Sequence, residues 1–135
     1  MGRYLLDSNA FIRAKDEPHK LSQEARKTIE DETNQIFISL ASLWEMAIKA
    51  ANDKLPFHAQ TIAGGATELL AVLRESNFAL LGIEMNQVLA AAALPQHHRD
   101  PFDRLMIAQA LEGDLTIITA DAAFARYRGV RILLA

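Results

Sequence analysis

Four acids stand where this sequence passes from apolar to polar: Asp7 ends the run YLLD, Glu45 lies in SLWE, Asp103 in DPFD and Asp121 in TAD. Carboxylates brought close together repel one another and raise each other's pKa. A fold gains little from that unless a cation lies among them. All four offer oxygen and the chain has no cysteine, so the cation such a set suits is a hard one, Mg²⁺ or Mn²⁺. Every one of these acids also has a simpler use. Asp7, or Ser8 beside it, can cap one helix and Asp121 another. Asp100 is placed to cap the helix that Pro101 opens, and Asp103 to complement its dipole. Ser42 and Glu45 have the spacing of a capping box. Position in the fold decides between the two uses.

The elements that must position these acids follow from local patterns. Arg3 to Leu6 reads as a short buried strand, followed by a brief helix from Ser8 to Lys15 and a turn through Pro18. Ser22 is placed to cap a helix over Gln23 to Glu32. QIFIS, Gln35 to Ser39, is β-branched and aromatic, hence a strand. From Ala41 to Asp53 the apolar Leu43, Met46, Ala47 and Ala50 share one helical face. Lys54 to Gln60 reads as a linker containing Pro56. A helix from about Gly65 to Ser76 precedes the strand FALLGI, Phe78 to Ile83. Asn86 to Leu94 is a small alanine-rich helix ended by Pro95. After the polar loop QHHRD, Pro101 opens a helix to about Glu112, with Gly113 placed to end it. LTIIT, Leu115 to Thr119, is a strand and Asp121 to Tyr127 a short helix. Gly129 then turns the chain into a last strand, Val130 to Leu134.

Strands and helices alternate, and the strands are near-continuous apolar runs, as in sheets covered on both faces. The expectation is a parallel α/β sandwich. In such sheets ligands bind beyond the carboxyl ends of the strands. Asp7 and Asp121 closely follow strands, Glu45 lies a turn into the helix after QIFIS, and Asp103 is in the first turn of the helix after Asp100. At least three of the four acids are therefore expected on one sheet edge.

Composition narrows the class. With 135 residues, 50% hydrophobic and 23% charged, the chain has the balance of an ordinary globular domain. The lack of cysteine excludes disulfides, thiolate metal sites and a cysteine nucleophile. A net charge of −3 argues against a protein that coats nucleic acid non-specifically, which needs a strongly basic surface. It leaves room for an enzyme that meets a phosphate backbone at one patch, for which Lys49, Arg104 and His98 are candidates. Val88 to Pro95 is the longest apolar run, too short to span a bilayer. The apolar residues after Arg3 are interrupted at Asp7, so no secretory signal is read, and a cytosolic location is expected.

The blocks YLLDSNAFI, SLASLWEMAIK, HHRDPFDRLMIAQA and LTIITADAAFARY, in this order, resemble the PIN-domain ribonucleases. More narrowly they resemble the VapC-like toxins of VapBC toxin–antitoxin systems. The resemblance implies a PIN-like three-layer α/β/α sandwich with a central parallel sheet of about five strands, one domain over residues 1–135. It implies metal-dependent hydrolysis of RNA, with Asp7, Glu45, Asp103 and Asp121 as catalytic residues. Mg²⁺ or Mn²⁺ would be held by Asp7, Asp103 and Asp121, with Glu45 acting through water. Ser8, Asn9, Asp100 and Thr119 match supporting polar positions; Ser8 stands where the family usually has threonine and keeps the hydroxyl. A homodimer and a VapB-like antitoxin partner are implied as well. Trp44 has the spacing of core or dimer-interface packing, or could stack an RNA base. Phe102 and Phe124 are assigned to packing. Phe11 and Ile12, with the helix around Leu69 to Leu73, are candidates for an antitoxin-binding surface.

Two enzyme-like or signalling alternatives fail on residues. A haloacid-dehalogenase-like phosphatase needs Asp-x-Asp after its first strand, and this chain has Asp7-Ser8-Asn9. A phospho-receiver domain needs an Asp after the third strand and a Lys after the fifth; here only Glu84 follows FALLGI, and Val130 to Ala135 contains no Lys. An inactive PIN-like module that binds RNA or protein is the remaining alternative, and retention of all four acids argues against it.

Overall fold

Five short apolar strands and the helices between them account for the architecture. The computed structural model describes residues 1–52 and 65–135; the linker expected at 54–60 lies outside them. The strands are β1 (Arg3–Leu6), β2 (Gln35–Ser39), β3 (Phe78–Leu81), β4 (Thr116–Thr119) and β5 (Arg131–Leu134). All pair in parallel, in the order β3-β2-β1-β4-β5. The α-helices among the described residues are α1 (Ser8–Asp16), α2 (Gln23–Glu30), α3 (Leu40–Ala51), α4 (Gly65–Glu75), α5 (Met85–Ala93) and α6 (Pro101–Gly113). Short 3-10 helices cover Pro18–Lys20 and Ala122–Arg126.

Alternation along each strand divides the apolar side chains between two cores, one on each face of the sheet. Leu6, Ile36, Ile38 and Ile118 face one way, against Phe11 of α1, Ala25 of α2, Met46 of α3 and Leu73 of α4. Leu5 and Ile117 face the other way, against Met106, Ile107 and Ala110 of α6 and against Phe124 and Tyr127. The expected three-layer α/β/α arrangement is thus observed, and it explains why the strands read as unbroken apolar runs.

The strand order fixes where a ligand can enter. β2 and β3 lie to one side of β1, whereas β4 and β5 lie to the other. The segments leaving β1 and β4 therefore diverge, and a crevice opens beyond the carboxyl ends of these two neighbours. Asp7 is the residue after β1, and Thr119 is the last residue of β4.

Local chemistry sets the helix ends. Asp7, Ser22, Asp100 and Asp121 each accept a backbone N–H as N-caps. The capping box expected at Ser42 and Glu45 is absent. α3 begins a turn earlier, because Ser39 at the end of β2 accepts from the Ala41 N–H at 3.0 Å. Ser42 lies inside the helix and donates to Met106 Sδ at 3.0 Å, which leaves Glu45 available for other work. At the end of α6 the left-handed residue is Asp114 (φ 55), not Gly113; aspartate tolerates that conformation through its short polar side chain. Gly129 does turn the chain toward β5, at φ 84, a backbone region that glycine enters without steric cost. The third and fifth strands are shorter than expected, ending at Leu81 and starting at Arg131.

Candidate active site

Asp7, Glu45, Asp103 and Asp121 line one cleft of ≈ 160 Å³ at the crevice between β1 and β4, together with Ser8, Asn9, Lys49 and Asp100. Four separate segments deliver the acids: the start of α1, the second turn of α3, the first turn of α6 and the loop after β4. A water molecule occupies about 30 Å³ of liquid, so the cleft has room for a cation with several waters.

Each acid is held differently. Asp7 is buried, at 8% exposure. Its Oδ1 accepts from the Ala10 N–H at 2.8 Å, and its Oδ2 accepts from the Thr119 hydroxyl at 2.6 Å. Capping and site architecture are therefore compatible duties of one side chain. Burial pushes the Asp7 carboxyl above its usual range, against the opposing pull of those two donors. Glu45 accepts from the Ser8 hydroxyl at 2.5 Å, and Lys49 Nζ lies 3.7 Å from its other oxygen. Asp103 is raised to about 7, by burial first and then by the charges of Asp100, Glu45, Asp7 and Asp121. No described residue donates a hydrogen bond to relieve it. Asp121 behaves oppositely. Its side chain is half exposed, and the Ala123 N–H at 2.9 Å, then the His98 ring, hold its carboxyl below the usual range.

Thr119 joins the two flanks of the crevice. Its side chain is fully buried; it donates to Asp7 and accepts from the Asp121 N–H at 3.0 Å. Asn9 is exposed on the cleft rim. Asp100 caps α6 through the Phe102 N–H at 2.9 Å while lining the cleft. In these side-chain positions no three His, Asp or Glu groups among the described residues close on a common point at metal-binding distance. The donor set nevertheless suits a hard cation: all oxygen and crowded, with Asp7 and Asp103 both raised, by burial first and then by neighbouring carboxylates.

Two of the three expected phosphate contacts are elsewhere engaged. Arg104, adjacent to Asp103 in sequence, is buried at 8% exposure. Its guanidinium donates to the carbonyls of Ala91 at 2.8 Å, Leu94 at 2.8 Å and Pro95 at 2.9 Å. Successive helical residues point about 100° apart, which carries Arg104 away from the cleft and under the end of α5. There it satisfies carbonyls that no further helical turn would reach. His98 is packed between Tyr127 and Phe124 and meets Asp121 rather than solvent. Lys49, 42% exposed in its side chain, keeps a free approach to the cleft.

The aromatic assignments divide as well. Phe124 is core, as expected. Trp44 is 62% exposed, edge-on to Phe102 at 5.1 Å, which excludes core packing and is compatible with the interface and base-stacking readings. It borders a separate apolar groove of ≈ 340 Å³ with Val88, Ala91 and Leu105. Phe11 and Leu73 are buried in the first core, so they offer no surface to a partner. Sequence reasoning passed over Tyr127 as a site residue, since its hydroxyl reaches His98 across 29 positions and no local pattern marks it.

Comparison with known proteins agrees with this fold. Residues 4–130 match the PIN domain family. Among solved structures, a chain of VapBC2 from Rickettsia felis bound to a DNA fragment from their promoter superposes with a TM-score of 0.72 at 17% identity, covering 98% of each chain. A chain of DNA-bound VapBC from Salmonella typhimurium gives 0.65 at 18% identity, covering 99% of this chain and 98% of that one. A chain of FitAcB from Neisseria gonorrhoeae gives 0.59 at 18% identity, covering 96% of each. Comparison with curated proteins finds no match. At these identities the structural likenesses speak for the fold alone, but the sequence match spans most of the chain: it belongs to the PIN domain family.

Proposed function

We propose that this chain is a divalent-metal-dependent ribonuclease that acts as the toxin of a toxin–antitoxin pair. The observation that carries the reading is the convergence of Asp7, Glu45, Asp103 and Asp121 on the crevice between β1 and β4, with Asp103 pushed up to about 7. Such crowding costs folding stability at neutral pH, and a cation offsets that cost. Family membership and the likeness to chains of VapBC and FitAcB complexes support the toxin assignment.

Asp7, Asp103 and Asp121 would hold Mg²⁺ or Mn²⁺. When bound, such an ion neutralises charge on a phosphodiester and makes water easier to deprotonate. The protein's own residues do the rest. Thr119 and the Ala10 N–H lock the Asp7 carboxylate in one orientation. Ser8 holds one Glu45 oxygen and Lys49 lies near the other, which fixes a carboxylate at the cleft that can orient the attacking water. Lys49 supplies the positive charge that meets a backbone phosphate at the cleft mouth. Water adds to phosphorus and the bond to the 3′ oxygen breaks, leaving 5′-phosphate and 3′-hydroxyl ends. A VapB-like antitoxin and a second copy of the chain are the partners in this reading, and residues 1–135 act as one PIN-like domain.

The test is cleavage of a panel of RNAs by purified protein. Wild type with Mn²⁺ or Mg²⁺ is expected to cleave, and EDTA or Asp7→Asn to stop it. Expression without a partner is expected to slow growth, with relief by Asp7→Asn. Cleavage that survives both chelation and Asp7→Asn would contradict the reading.

A further inference from the structure

The polar surroundings of His98 assign it a duty that the reading above leaves open. Its side chain is only 8% exposed, and its ring lies between two buried aromatics. Phe124 is 4.7 Å away between centroids, and Tyr127 stacks at 5.5 Å and 24°. The ring therefore has two polar outlets. Nδ1 is 3.2 Å from the Tyr127 hydroxyl, and Nε2 is 3.0 Å from Asp121 Oδ2.

Counting protons at Tyr127 settles the direction of both bonds. The Tyr127 oxygen already accepts from the His98 backbone N–H at 2.8 Å. Tyr127 is buried at 2% exposure, and its single hydroxyl proton finds no other acceptor among the described residues than His98 Nδ1. Nδ1 is then the acceptor, and the ring proton sits on Nε2, directed at Asp121.

Asp121 is the one acid of the four with a half-exposed side chain, and without a second anchor its carboxylate would rotate on its N-cap bond. Oδ1 is tied to the Ala123 N–H and Oδ2 to His98 Nε2. Arg104 braces the segment from behind, since its guanidinium holds the carbonyls of Ala91, Leu94 and Pro95 just before His98. We propose that His98 is a positioning residue, oriented by Tyr127, whose Nε2–H holds Asp121 in the geometry that a divalent cation requires. His98 does on the exposed side of the cleft what Thr119 does on the buried side. The inference rests on the metal-dependent reading of the same cleft, and it gives Tyr127 and Arg104 supporting roles in that reading.

Two measurements on purified, antitoxin-free protein test it. The first is the ¹⁵N spectrum of the imidazoles, assigned by comparison with His98→Gln. His98 is expected to carry its proton on Nε2, where Asp121 accepts it. The second is Mn²⁺ binding by calorimetry to wild type, His98→Asn and His98→Gln. The glutamine amide reaches the position of Nε2 and the asparagine amide stops near Nδ1. His98→Gln is expected to stay within about twofold of wild type and His98→Asn to bind about tenfold more weakly, the low end of the effect of groups that orient metal ligands. Circular dichroism checks that both variants are folded. A proton found on Nδ1 in the neutral ring, or wild-type affinity in a folded His98→Asn protein, overturns the positioning role. Absence of Mn²⁺ binding in wild type overturns the cation reading and this inference with it.

Discussion

The two walls of the acidic cleft use the same residue type in opposite ways. On the buried wall Asp7 and Asp103 are pushed up by burial first and then by neighbouring carboxylates, Glu45 for Asp7 and four acids for Asp103. On the exposed wall Asp121 is pulled down, by the Ala123 N–H and by His98. Burial disfavours a carboxylate, whereas hydrogen-bond donors favour it, so the difference lies in the surroundings of each acid. The buried wall stores unfavourable charge that a cation can relieve. The exposed wall holds an acid that is ionised at neutral pH with or without one. Thr119, which donates to Asp7 and accepts from the Asp121 N–H, is the hydrogen-bonded link where the walls meet.

This contrast can be broken most forcefully by neutralising one acid at a time. Asp103→Asn is expected to lower Mn²⁺ affinity and RNA cleavage by about 100-fold or more, and Asp121→Asn by about tenfold. Calorimetry and single-turnover cleavage measure both. Equal losses from the two variants would erase the distinction between the walls.

A middle-sized effect is expected on stability without metal. The folded pKa of Asp103, about 7, lies above an unfolded value of about 3.9. Between those values the folded state binds more protons than the unfolded one, so stability falls as pH rises from about 4 to about 7. Asp103→Asn removes that loss. In EDTA its melting temperature at pH 8 is expected to exceed wild type by roughly 3–6 °C, with the gap closing toward pH 4. Asp121 has the opposite sign: its depressed pKa gives stability present above the unfolded value and lost as pH falls through the folded one. Solvent screening keeps that contribution small. A wild-type protein as stable as Asp103→Asn at pH 8 would show that no charge is stored on the buried wall.

Arg104 and Lys49 sharpen the comparison from outside the acids. Arg104→Met orphans several carbonyls and is expected to cost about 2–4 kcal/mol in urea unfolding. Lys49→Gln is expected to change stability by less than about 0.5 kcal/mol. Instead it should weaken RNA binding about two- to fivefold and reduce the salt dependence by the equivalent of about one phosphate contact. An Arg104→Met protein of unchanged stability would contradict its role as a brace.

Much of this was legible along the chain because it is local. An apolar run that stops at an acid locates Asp7 and Asp121 at strand ends, and Asp100-Pro101 marks the start of α6. What was misread depends on contacts made at a distance or on a choice between neighbouring caps. Ser39 outcompetes Ser42 as the cap of α3, because the helix can begin as soon as β2 ends. Arg104 looked like a cleft residue beside Asp103, but the helical rotation between them turns it toward carbonyls of α5. Gln109, fully buried, accepts from Ser39 at 2.6 Å and donates to the Gly82 carbonyl at 3.1 Å. Nothing in its own helix announces that bridge between the layers. The choice between core and exposed placement for Trp44 is likewise made at a distance: which side of α3 is covered depends on what α5 and α6 leave open.

The central claim, that these acids form a cation site, is tested most directly by Mn²⁺ calorimetry on wild-type protein at pH 6 and pH 8, each in two buffers of different ionisation enthalpy. With Asp103 at about 7, binding is expected to release close to one proton at pH 6 and only about a tenth of one at pH 8, with tighter binding at the higher pH. Absence of binding, or binding with no proton released at pH 6, would contradict the account.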